Sequence, residues 1–302
     1  MDFRAAASAG YANGLMVEAS TQGNQLNRRW KLDQPIPSYL ACFSAGPYVS
    51  WKRNIASIPV EIAAAAVDTN KVASTYQHLP QAIACFQHWF GPFMWPKIGY
   101  SLVPFNSGAM EHATNIAIGR SFIDGTLSYE TLWAHELSHH WWGDLATCTT
   151  AEDMWLNEGM ASYSENLFTE NVYGSDQYTR DVKDNLTEIL HFTHHKEGGY
   201  QPVSGVPHSL TYSDHVYLKG KAVAHCLRGY MGDSLFFAGL QYFLNNKKFS
   251  FVFLSKIENG SPNQRVRTVR PVDNRKNQLE QTTSIAKSSD PSRNPMAYKN
   301  VD

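Results

Sequence analysis

No stretch of this sequence holds the eighteen or so uninterrupted apolar residues that a membrane-spanning helix requires. The opening MDFRAAASAGYANG lacks the charged flank and apolar run of a secretory signal, which leaves the compartment undecided. Neither sign of charge dominates. With 26 basic and 27 acidic residues, the chain has no electrostatic footprint for nucleic acid or an anionic membrane surface. Cysteine is sparse: Cys42, Cys85, Cys148 and Cys226 are scattered, with no CxxC spacing, and read as free, mostly packed thiols. No internal repeat is visible. Aromatic residues nearly vanish at the end, where Tyr298 is alone in residues 255–302 among many Arg, Lys, Asn, Ser and Pro. That composition predicts a disordered or non-native tail over residues 251–302.

What is present centres on residues 135–144, HELSHHWWGD. His135 and His139 are four apart, so on a helix they share a face and aim two imidazoles at one point. Glu136 sits about 100° round the helix, where its carboxylate reaches a water on a metal held by that pair. Two such histidines leave a zinc ion needing a third protein ligand, with water at the fourth corner. Eighteen residues beyond His139 comes Glu158, inside WLNEGMASYSE, a distance that suits a helix, a loop and a second helix packed on the first. Glu165, seven residues further, returns to the same face and can orient a ligating histidine, although an exposed helix acid is nearly as good a reading. His140 points off the metal face and reads as a packed or surface residue.

Taken together, HExxH, the eighteen-residue spacing and the Glu inside NEG resemble the gluzincin aminopeptidases, the family of aminopeptidase N and the leukotriene hydrolases. The resemblance spans about residues 30–250. It implies that His135, His139 and Glu158 bind one Zn2+ per chain and that Glu136 is the general base. Asp214–Gly220, DHVYLKG, resembles the segment carrying the family's catalytic phenol, which makes Tyr217 the hydrogen-bond donor to the oxyanion. Ser107–His112, SGAMEH, resembles its GxMEN signature. Gly108, Ala109 and Met110 would then pair with the substrate backbone, and Glu111 would hold the α-ammonium. His112 stands where the family has Asn, which bears on the loop's hydrogen bonding and fine specificity.

The fold implied is α+β: a thermolysin-like catalytic domain, with a small sheet and a mainly helical zinc subdomain, over residues 55–250. Residues 1–54, cut by glycine turns, read as the end of a preceding β domain, so the chain is expected to be a fragment lacking an N-terminal part. Ile58, Val60 and Ile62 alternate as a strand, and helical spacing over residues 70–90 should kink or split at Pro80. Strands are expected over residues 99–105 and 108–119. The first zinc helix is expected to begin at Ser128 as its cap, with Glu130 in the first turn, and the second to run over residues 157–171. Trp89, Phe93 and Trp95 read as core. Helices are expected between residues 176 and 244, broken by a loop at 198–205, with His194, His195, His208 and His215 solvated.

The function implied is a zinc-dependent aminopeptidase acting on peptides with a free N-terminus, with no nucleic-acid partner and no membrane-spanning segment. Alternatives are a metal-binding but inactive fragment of such an enzyme, or a thermolysin-like endopeptidase, against which the Gly108–Glu111 signature argues. The preferred N-terminal residue and the oligomeric state stay open.

Overall fold

Glycine turns cut the N-terminal part of the chain into short antiparallel strands. The computed structural model describes residues 2–6, 9–105 and 107–252. Strands β1 (Asp2–Ala6), β3 (Leu15–Gln22) and β4 (Gln25–Lys31) form one sheet in the order β1-β4-β3, with Gly23-Asn24 at the hairpin tip. Strands β2 (Ala9–Ala12) and β5 (Phe43–Gly46) pair separately.

The larger sheet carries the expected alternation. Strand β6 (Tyr48–Ile55) turns back through Ala56-Ser57 into β7 (Ile58–Ala65), on which Ile58, Val60 and Ile62 are buried. Beside β7 come β8 (Ile98–Val103), β10 (Ile116–Gly119) and, at the edge, β9 (Ala109–Met110), in the order β6-β7-β8-β10-β9. This sheet draws on residues either side of 55. The run expected as one strand over 108–119 is instead two short strands, because residues 111–115 form a loop between them.

Proline decides the first helical segment. It divides into α1 (Thr69–Thr75) and α2 (Leu79–Phe90), with Pro80 in the first turn of α2, where a missing N–H breaks no helical bond. Next come α3 (Glu130–Ser138) and α4 (Glu158–Tyr173). The N-cap of α3 is Tyr129 without a side-chain bond; Ser128, expected there, instead accepts a hydrogen bond from Thr126. After α4 follow α5 (Ser175–Glu188), a π-helical turn at Ile189–Thr193, and α6 (His194–Lys196). Two longer helices, α7 (Asp214–Met231) and α8 (Asp233–Lys247), finish the helical part. Strand β12 (Ser250–Val252) then returns to pair in parallel with β11 (Ala146–Cys148). Beyond residue 252 the expectations for the tail lie outside the described residues.

One core joins the sheet to the helices. Ile62, Tyr100, Phe86, Trp133, Trp141, Tyr163 and Phe168 are all fully buried in it. Trp95 is buried, and Trp89 and Phe93 pack against the core, so all three are structural. The cysteines are free: Cys85 is buried, Cys42 and Cys148 are half-buried with hydrogen-bonded sulfurs, and Cys226 is exposed.

The crossing of α4 and α7 sets the shape of the site. A Cβ on Gly159 would come within 2.8 Å of the Gly220 Cα, and the converse holds at the same distance. Both glycines are thus required for the two backbones to touch. Either Gly159→Ala or Gly220→Ala is expected to force the helices apart, at a cost of roughly 1–3 kcal/mol from overpacking. Chemical denaturation measures this, and wild-type stability in both variants would contradict the contact.

Candidate metal centre and its surroundings

Helix α3 carries His135 and Glu136, His139 is its C-cap, and the start of α4 carries Glu158, all buried. The Nε2 atoms of His135 and His139 lie 3.2 and 3.4 Å from Glu158 Oε2. These separations match the edge of a tetrahedron with metal–ligand bonds of about 2.0–2.1 Å. The other ring nitrogens are occupied. His135 Nδ1 donates to Glu165 Oε1 at 2.7 Å, and His139 Nδ1 donates to the Trp142 carbonyl at 2.8 Å. Each Nε2 therefore turns a lone pair toward the common point, the arrangement that a second partner imposes on metal-binding histidines. His139 Nε2 is buried without a hydrogen-bond partner among the described residues, an orphan that a metal ion would satisfy. Two imidazoles and a carboxylate form a zinc donor set. The residues fit the ion.

Electrostatics point the same way. Burial disfavours a charge on His135, but its hydrogen bonds to Glu158 and Glu165 overcome this and raise its pKa to about 10. The same carboxylates would draw a metal cation, which would take the place of the proton on His135 Nε2 and leave that nitrogen's lone pair for the ion. Burial opposes ionisation of Glu165 as well, yet Lys221 at 2.9 Å and His135 lower its pKa to about 2. Glu165 is therefore an ionised partner of a candidate ligand. Lys221 was not singled out from the sequence, although it lies in the same segment as Tyr217.

Helix α7 brings Tyr217 across from α4. Its ring lies nearly parallel to that of His135, at 17° with centroids 6.1 Å apart. On the other flank, Glu111 follows the edge strand β9 and is buried. Glu111, Glu136 and His139 offer ligand atoms that all lie within 4.8 Å of one another. Glu111 Oε2 is buried with no hydrogen-bond partner among the described residues. Gly108 has a φ of +65°, and Gly119 N–H donates to its carbonyl at 3.1 Å, which closes the loop leading into β9. Gly108, Ala109, Met110 and Glu111 thus stand together at an open sheet edge next to the donors.

Two further residues organise this flank. His140 is packed, and its Nε2 accepts the Thr114 N–H at 3.0 Å. Thr114 has a φ of +62°, uncommon for a residue with a branched Cβ, and its Oγ1 also accepts the Gly14 N–H at 2.7 Å. Asn13 donates to the neighbouring Ala113 carbonyl, so the turn between β2 and β3 and the residues just after α3 together fix the loop after Glu111. His112 is largely enclosed in that loop, and burial lowers its pKa. Asp144 is fully buried, with neither carboxylate oxygen hydrogen-bonded among the described residues. Burial first, then the nearby Glu111 and Glu136, push its pKa well above the carboxylate range. Its only sequence signal is its place at the end of the HELSHHWWGD run.

The remaining histidines are not all in solvent. His215 is buried on α7, with Nε2 3.0 Å from the Gly199 carbonyl, which corrects its expected place in a solvated loop. His194 and His195 form a helical turn rather than a loop.

A profile described as "Peptidase family M1 domain" matches residues 75–260. Aminopeptidase B of Rattus norvegicus is 26% identical over 218 residues, covering 68% of this chain and 32% of that protein. Aminopeptidase N of Streptomyces lividans is 28% identical over 248 residues, covering 74% of the chain and 28% of the relative. The chain thus spans about a third or less of the length of these curated relatives. In structure it resembles an M1 zinc metallopeptidase from Deinococcus radiodurans, with a TM-score of 0.72 and 21% identity. That match covers 82% of this chain and 56% of the other. Among the described residues no helix is long and apolar enough to cross a membrane.

Proposed function

The chain belongs to peptidase family M1, and from that premise we propose that it is a zinc-dependent aminopeptidase that removes the N-terminal residue of peptides. The observation that carries this reading is the convergence of His135 Nε2, His139 Nε2 and Glu158 Oε2 beside the buried Glu136 and Glu111. One zinc ion per chain would be held by these three residues. When bound, it supplies Lewis acidity, polarising a carbonyl and lowering the pKa of water.

The chain's own residues account for the rest. Strand β9 lies at the sheet edge, where an extended peptide can be laid as an added strand. Glu111 meets the substrate's α-ammonium there, and a buried cation needs such a carboxylate. Anchored by its amine, the peptide presents only its first bond to the donors. Glu136 accepts the proton from the attacking water and returns it to the leaving nitrogen. The phenol of Tyr217 donates to the oxyanion that develops on the former carbonyl. Glu165 and the Trp142 carbonyl hold the two imidazoles in register.

The metal assignment is tested by replacing His135, His139 and Glu158 singly with Ala. Each variant is expected to lose most of its bound zinc at neutral pH, measured by elemental analysis after dialysis. Wild-type metal content in all three would refute the site.

A further inference from the structure

A cavity of about 550 Å³ reaches the donors at Glu165, the hydrogen-bond partner of His135. Three of its lining residues adjoin the site described above. Thr131 lies one helical turn before His135, Glu165 is bonded to His135, and Leu218 follows Tyr217. Its far wall is α5, with Asp181, Asp184 and Glu188. These acids, with Glu130 and Glu165, line the cavity; Glu165 is paired with Lys221 at 2.9 Å, Glu188 with Lys196, and Glu130 is bonded to His78, which leaves Asp181 and Asp184 as the lining acids without an ion pair among the described residues. Two buried amides also line it. Asn166 is 3% exposed and Asn185 8%, and neither Asn166 Nδ2 nor Asn185 Oδ1 has a hydrogen-bond partner among the described residues.

An acidic wall with one free donor and one free acceptor calls for a ligand of matching chemistry. A bare metal ion would not use the Asn166 donor. Nor do any three acids here bring ligand atoms as close as those around His139, among the described residues. A basic amino-acid residue matches better. Its guanidinium or ammonium has donors only, which suits the carboxylates and Asn185 Oδ1, while its backbone carbonyl can accept from Asn166 Nδ2.

The direction of the substrate brings such a residue here. Glu111 lies with Glu136 on the His139 side of the donors, whereas Glu165 and Tyr217 flank His135. A peptide with its amine at Glu111 and its first bond at the donors therefore continues past His135. Extended backbone advances about 3.3 Å per residue, so a long side chain from the first or second residue after the cleaved bond reaches the cavity. We propose that this cavity binds a lysine or arginine side chain on the leaving part of the peptide and makes the protein selective for such substrates. The proposal rests on the aminopeptidase reading.

The test measures binding and turnover separately. Zinc-loaded Glu136→Gln protein is titrated by calorimetry with Ala-Arg-Ala-Ala and Ala-Gln-Ala-Ala, and with the pair carrying Arg or Gln one residue later. In at least one pair the Arg peptide is expected to bind roughly tenfold tighter or more, with the contrast weakening in salt. Adding Asp181→Asn and Asp184→Asn, both on α5, should reduce that contrast to about twofold or less. Adding Asp176→Asn, on α5 but outside the cavity, should leave it intact. Equal binding of Arg and Gln peptides by the parent overturns the proposal, as does a contrast that survives loss of both α5 charges. The same peptides are then given to the wild-type protein. A binding contrast without hydrolysis of any of them would support the cavity and sink the aminopeptidase reading, so the two failures are distinguishable.

Discussion

Glu136→Gln is expected to leave zinc content unchanged and to lower kcat on an amino-acid anilide by ~10²–10⁴-fold, the usual worth of a general base. The amide has the same shape as the carboxylate and sits at the same buried position of α3 between the two histidines. It cannot accept a proton from water, so only the chemical step is removed. The position is enclosed, which leaves bulk water little access as a substitute base. Metal analysis beside steady-state kinetics separates the two effects. A variant with most of the parent's turnover would show that another group takes the proton; a variant without metal would show that Glu136 supports the centre instead.

Replacing Glu111 with Ala is expected to be nearly as damaging, but selectively. The carboxylate is 3% exposed, with Oε2 unpaired among the described residues, and it stands at the end of the edge strand. An α-ammonium drawn into such a place has to be met by charge. Loss of one partner of a desolvated pair corresponds to a fall of roughly two to four orders of magnitude in kcat/KM on free-amine substrates. Any residual cleavage of N-acetylated peptides should hardly change, because they carry no ammonium. Equal losses on both substrate types would mean that Glu111 holds the loop or the donors, and the exopeptidase reading would lose its physical basis.

The clustering of the candidate donors His135, His139 and Glu158 was legible in the sequence because its order is local. Two histidines one turn apart share a face whatever surrounds the helix, and Glu158 and Glu165 repeat that logic one helix later. Pro80 announced the break between α1 and α2 just as directly. What stayed hidden depends on contacts between distant segments. Nothing near Gly159 in the chain tells that Gly220 will press against it, and nothing near His140 tells that it will accept a bond from Thr114. His215 was misplaced for a related reason: a polar residue after a Gly/Pro-rich loop reads as solvated until the Gly199 carbonyl is found beside it. Asp144 escaped notice because a lone carboxylate has no periodicity, and only packing reveals that its two oxygens lie buried.

If the buried donors and Glu111 together make a metal-dependent exopeptidase, cleavage requires both the metal and the free amine. The most direct measurement compares hydrolysis of one peptide with a free amine and the same peptide N-acetylated, using protein stripped of metal and then reloaded with zinc. Cleavage of the first bond of the free-amine peptide only is expected, absent in the stripped protein and restored on reloading. Equal cleavage of both peptides, or cleavage that ignores zinc, would contradict it.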